Sequence, residues 1–182
     1  MRDLDWAATL RFDRPYLRLY RQEVEASPLL LIDVSASMAF GDPAKLAYAQ
    51  ALACALGYLA LAHHDRVGAL AFSDAVSARL PAGRGSGQWE ALRGVGGGFV
   101  AAGSTRVTDI PGALASLRGP HGLAVILSDL SPPEAFAEGL RRLARCPLRA
   151  VALHLASPQE LDPTLEGEIE RVDCETGEAR GG

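Results

Sequence analysis

Four short apolar runs constrain this chain more than any other feature. They are Leu29-Leu30-Leu31-Ile32-Asp33-Val34, Val67 to Phe72, Leu123 to Leu127 and Leu148 to Leu155. A strand with one wet face alternates apolar and polar residues, whereas a near-continuous apolar run is the pattern of a strand covered on both faces. Helical segments are expected between the runs. One spans about Ala44 to Ala62, with Leu46, Ala49, Ala53, Leu56 and Ala60 at helical spacing. Asp42 is placed to cap this helix and Pro43 to lie in its first turn. Further helices are expected near Trp89, over Asp109 to Leu117 and over Pro133 to Ala144. Val76 to Leu80 follows the second run so closely that it should pair antiparallel, as a hairpin edge. Glu168 to Cys174 reads as a last strand.

Strands covered on both faces and alternating with helices predict a three-layer αβα, Rossmann-like α/β fold. Its central sheet is mostly parallel, with one antiparallel edge strand. The 182 residues suffice for one such domain. Residues 29–182 are assigned to it. Residues 1–28, polar and rich in arginine and aromatics, are read as an N-terminal extension with a short strand near Tyr16 to Tyr20.

Composition removes several classes of function. The formal charge of −4 is the wrong sign for a general binder of phosphate backbones. Cys54, Cys146 and Cys174 are far apart and include no CxxC pair, so neither a disulfide framework nor a structural zinc site is expected. The charged start, Met1 to Trp6, is unlike a signal peptide, and the apolar stretch from Ala47 to Ala62 is broken by Gln50 and Gly57. The expectation is a cytoplasmic domain with reduced thiols and no membrane span.

In open parallel sheets ligands sit beyond the carboxyl ends of strands, where the strand order reverses. The loop after the first run reads Asp33-Val34-Ser35-Ala36-Ser37, and an extended backbone would turn Asp33, Ser35 and Ser37 to one side. Ser128-Asp129 follows the third run, and Ser104-Thr105-Arg106-Val107-Thr108-Asp109 leads into a helix. Carboxylates, hydroxyls and water are hard oxygen ligands that suit Mg²⁺ or Mn²⁺. Taken singly, each of these loops reads equally well as helix capping.

Together they resemble the metal-ion-dependent adhesion site of von Willebrand factor A domains. The chain is most similar to the bacterial family known as domain of unknown function fifty-eight, whose genes often neighbour MoxR-type AAA+ ATPases. The matching stretches are Arg2-Asp3-Leu4-Asp5-Trp6, Leu31 to Met38, Asp65-Arg66-Val67-Gly68, Thr108-Asp109-Ile110 with Ala113-Leu114, Leu127-Ser128-Asp129 and Asp173 to Glu178. The resemblance implies that Ser35 and Ser37 bind the metal directly and that Thr108 joins them in the engaged state. Asp33 and Asp129 would act through waters. Thr105 is the alternative to Thr108, which fits better by its spacing to Ala113-Leu114. The implied function is binding, not catalysis: a protein partner completes the metal shell with an Asp or Glu carboxylate, and a MoxR-type ATPase or its client is the implied partner. Family members usually carry more sequence before the Arg2–Trp6 motif, often with membrane helices.

Two other readings compete. A haloacid-dehalogenase-like phosphohydrolase would use Asp33 as nucleophile, but it needs an acid two residues on, where Ser35 stands. It also needs a lysine, and the chain has only Lys45. The other is an interaction domain whose metal site is unused. A nucleotide-binding loop is excluded at this edge, because no glycine precedes Gly41 after the first strand. Adjacent His63 and His64 on a helix would not face one way, so they are read as a helix terminus.

Overall fold

The structure, a computed structural model, describes residues 11, 14, 27–105, 110–116, 122–146, 148–163, 170–172 and 179–181. The apolar runs become β1 (Pro28–Asp33), β2 (Val67–Phe72), β4 (Leu123–Ser128) and β5 (Arg149–His154), with β3 (Val76–Gly83) as the hairpin strand. The sheet order is β3-β2-β1-β4-β5. β1 pairs parallel with β2 and with β4, β4 pairs parallel with β5, and β2 pairs antiparallel with β3. The fold is the α/β one expected, and the strand order reverses between β1 and β4.

Alternate residues of β1 point to opposite faces and build two separate cores. Leu30 and Ile32 join Ala49, Ala53 and Leu92, from α1 (Lys45–Ala62) and α2 (Ser86–Gly97). Leu29 and Leu31 join Ile110, Phe136 and Leu143, from α3 (Ile110–Ser116) and α4 (Pro133–Leu143). Each of these four β1 side chains is fully buried, worth roughly 1.5–3 kcal/mol apiece on transfer from water. By length and composition α1 could cross a membrane, with a mean hydropathy of 1.3. In this fold one face of it is buried, with the small residues Ala49, Ala53, Gly57 and Ala60, while Tyr48, Tyr58 and Leu59 are exposed.

Several local expectations are corrected. Asp42 does not cap α1: the N-cap is Ala44, without a side-chain hydrogen bond, and residues 41–44 form a turn that includes Pro43. The chain needs that turn because it leaves β1 through a 3-10 turn, Ala36–Ala39, before α1 can begin. β5 is not covered on both faces. Arg149 to Ala152 and His154 are exposed, since β5 is the sheet's edge and an apolar run alone does not separate edge from centre. The last strand does not join the main sheet: β6 (Glu170–Val172) pairs with β7 (Ala179–Gly181) in a two-stranded sheet. The expected strand near Tyr16 to Tyr20 lies outside the described residues.

A short helix, α5 (Pro158–Leu161), follows β5 and closes over the turn before α1. The closure is tight at Gly41, which has φ +102°, and a Cβ there would lie 2.6 Å from Cβ of Ser157. Gly41→Ala therefore combines backbone strain with a steric clash, at a cost of about 1–3 kcal/mol. Thermal unfolding should show a Tm several degrees lower, and an unchanged Tm would mean that the turn and α5 are not packed as described.

Candidate metal centre

The site begins where β1 ends. Beyond Asp33 the backbone is held on two sides: Val34 N–H donates to Phe72 O (2.8 Å), Ala102 N–H to Val34 O (2.9 Å) and Ala36 N–H to Gly103 O (2.8 Å). Residues 102–103 thus lie along the loop after β1 and carry Thr105, itself buried, towards this edge. Gly103 makes that approach possible. It has φ +77°, and a Cβ would stand 3.1 Å from the Asp74 carboxylate.

Within the loop, Ser35 N–H donates to Oδ1 of Asp33 at 2.9 Å, and Ser128 Oγ–H donates to Oδ2 at 2.5 Å. The hydroxyls of Ser35 and Ser37 lie 3.1 Å apart, and both residues are buried. Asp33 is wholly inaccessible to solvent. Its burial raises the carboxyl from 3.8 to about 6, against the lowering effect of the hydrogen bonds from Ser128 and Ser35. β4 presents Asp129 beside this cluster, with Oδ1 accepting from Ser131 N–H at 3.2 Å.

Oδ2 of Asp129 meets a cation belonging to the protein. Lys45 Nζ donates to it at 2.7 Å and to Glu160 Oε1 at 2.5 Å, and Lys45 is buried. Glu160 is held in turn by a capping box, its Oε2 accepting from Ser157 N–H at 2.7 Å. Burial works against the lysine's charge, but the two carboxylates outweigh it and hold its pKa above the ordinary value. Burial likewise opposes the charge of Glu160, and contact with Lys45 holds that carboxyl below its usual range. A cavity of about 670 Å³ opens beside the cluster, lined by Ser37, Phe40, Lys45, Asp129, His154 and Glu160 among others.

The structure thus brings Asp33, Ser35 and Ser37 together and sets Asp129 at the neighbouring strand end. The two serines do not meet by simple alternation along an extended chain: Ser37 lies in the 3-10 turn, which folds it back towards Ser35. Thr108 lies outside the described residues, as do the matching stretches at Arg2–Trp6 and Asp173–Glu178. Sequence reasoning missed Lys45, Glu160 and the Ser128 hydrogen bond to Asp33. Lys45 had a signal of its own, as the single lysine in the chain, placed where a helix begins. Among the described residues no group of three His, Cys, Asp or Glu side chains could hold a metal. The donor set here mixes hydroxyls with carboxylates.

The layered sheet, with its order β3-β2-β1-β4-β5 and antiparallel edge, has a von Willebrand factor A-like fold. The family described as "Protein of unknown function DUF58" matches residues 1–181, and the chain belongs to it. An uncharacterized protein of Mycobacterium tuberculosis is 31% identical over 186 residues, covering 99% of this chain and 58% of the relative. The chain therefore spans little more than half the length of that curated relative. Among solved structures, the conserved hypothetical protein BatB of Bacteroides thetaiotaomicron superposes with a TM-score of 0.59 at 15% identity, over 85% of this chain and 75% of that one. An aerotolerance-related membrane protein of Bacteroides fragilis gives 0.58 at 16% identity, over 86% and 81%. At these identities the likeness is one of fold.

The raised Asp33 carboxyl gives a pH prediction. Its folded pKa lies above the unfolded value, so its contribution to stability is fully present below about 3.8 and is lost as pH rises through about 6. In chelator, the wild type should lose on the order of 3 kcal/mol from this source between pH 4 and 8. Asp33→Asn removes the charge, accepts from Ser35 N–H through its single oxygen and turns its amide N–H towards Ser128 Oγ, which must then accept, and it should lack that loss. Identical pH profiles in denaturant unfolding would contradict the burial argument.

Proposed function

We propose that the domain holds a divalent cation, Mg²⁺ or Mn²⁺, at the carboxyl edge of β1 and β4 and binds a protein partner through it. The observation that carries this reading is the pair of buried hydroxyls on Ser35 and Ser37, 3.1 Å apart beside the Asp33 carboxylate. Hydroxyl and carboxylate oxygens are the donors a hard cation prefers. Each oxygen of Asp33 and Asp129 that already accepts a hydrogen bond keeps a further lone pair for a metal-bound water. The residues present therefore fit the ion. Ser35 and Ser37 would touch it, Asp33 and Asp129 would act through water, and Thr108 or Thr105 would supply a further hydroxyl.

Such an ion supplies an under-neutralised positive charge that a carboxylate from outside can satisfy. Direct ligands that are neutral hydroxyls leave most of its charge uncompensated, so an Asp or Glu of a partner is the fitting last ligand. Binding of this kind needs no nucleophile or general base, and the reading is of a binding module, not an enzyme. Ser35 occupies the position where a phosphohydrolase of the haloacid-dehalogenase type needs its acid, and Lys45 is engaged by two carboxylates. By family resemblance the partner is a MoxR-type AAA+ ATPase or one of its clients.

Metal and partner should tighten each other by the same factor. Ca²⁺, which prefers more ligands at longer distances, should substitute poorly. The test is a pull-down from cells with the domain as bait in Mg²⁺, in Ca²⁺ and in chelator, repeated with Ser35→Ala/Ser37→Ala. A partner retained in Mg²⁺ and lost in chelator and in the double variant is the expected result. Equal retention under all conditions would mean that another surface does the binding.

A further inference from the structure

Lys45 sits where a cation is unfavourable. It is the first residue of α1, close to the partial positive charge of the helix N-terminus, with no acidic residue in the first turn. It is also 4% exposed. Two carboxylates offset this placement, Asp129 at 2.7 Å and Glu160 at 2.5 Å, and the Phe40 ring centre lies 5.9 Å from the ammonium. One of those carboxylates belongs to the proposed metal site. The other belongs to α5, which is fixed to the turn before α1 by the close packing of Gly41 on Ser157.

We propose that Lys45 is a resident cation that shares Asp129 with the divalent ion. Metal loading weakens the Lys45–Asp129 pair and shifts Lys45 towards Glu160 on α5. The inference rests on the metal reading given above and adds a residue that reading does not use. Two cations drawing on one carboxylate repel each other, and the repulsion is large in a partly buried site. In the metal-free state Lys45 compensates Asp129, so the site can stay assembled while Asp33 is close by. In the loaded state Glu160 takes up the ammonium, and reciprocity requires that anything holding Lys45 near Asp129 weakens the metal. Loading is thereby felt at α5, on the wall of the 670 Å³ cavity.

Removal of the two charges should have opposite effects. Lys45→Met takes away the competitor, whereas Glu160→Gln takes away the alternative acceptor and leaves Lys45 on Asp129. A role in packing alone predicts the same sign for both, since either change loosens the same turn. Mn²⁺ affinity of the purified chain, measured by calorimetry, should rise about tenfold or more in Lys45→Met and fall about threefold or more in Glu160→Gln. Because Lys45 is the single lysine, ε-¹⁵N-lysine labelling gives one side-chain ammonium signal, which saturating Mg²⁺ should shift.

Unchanged or weaker binding in folded Lys45→Met overturns the inference and leaves the metal reading standing. If Lys45→Met does not fold, Glu160→Gln decides: affinity equal to or above wild type overturns the inference. Binding by Lys45→Met alone, with none by the wild type, supports Lys45 as the resident cation and contradicts the metal reading for the native chain. No binding by any of the three proteins overturns both.

Discussion

The pairing of β1 on both its edges is the constraint on which the rest of the structure depends. With β2 on one side and β4 on the other, residues 29–32 of β1 are paired on both sides, so the backbone of the strand's centre finds its partners within the sheet. Its side chains are then free to fill both cores. The connections leave β1 and β4 in opposite directions across the sheet, which opens a crevice at their carboxyl ends. Asp33 and Asp129 stand on the two sides of that crevice, and Ser128 joins them by donating to Asp33. A loop of hydroxyls becomes a site only because these two strand ends are adjacent.

The electrostatics of the crevice divide it into two halves. On one side are Asp33 and the serine hydroxyls, a set that is buried, rich in oxygen and without a cation of its own among the described residues. On the other is Lys45 between Asp129 and Glu160, in which the protein supplies the positive charge itself. Asp129 belongs to both halves. The raised carboxyl of Asp33 and the raised ammonium of Lys45 have different origins: desolvation prevails at the first, ion pairing at the second. A divalent ion would relieve the first and disturb the second.

Much of the fold was legible in the sequence because apolar runs and helical spacing are local signals. β1, β2, β4 and the hairpin strand β3 lie where those runs predicted, and α1 buries Leu46, Ala49, Ala53 and Ala60 as its spacing required. The exposure of β5 was not legible, because burial of an apolar run depends on which elements lie over it. Nor was the failure of Asp42 to cap α1, since the 3-10 turn at Ala36–Ala39 had no distinct signature. At the site, Asp33, Ser35 and Ser37 could be found because they lie within five residues of one another. The Lys45–Asp129 and Lys45–Glu160 pairs span 84 and 115 residues, and only the folded sheet reveals them.

The central claim is that the hydroxyl and carboxylate cluster at the end of β1 is a divalent-cation site. Crystals of the domain grown with Mn²⁺ and measured for anomalous scattering test it most directly. The account predicts one strong peak about 2 Å from the hydroxyl oxygens of Ser35 and Ser37, the distance of a compact octahedral shell. It also predicts Asp33 and Asp129 one water removed from the ion. A map with no peak beside those serines at saturating Mn²⁺, or with its strongest peak elsewhere on the molecule, would contradict it.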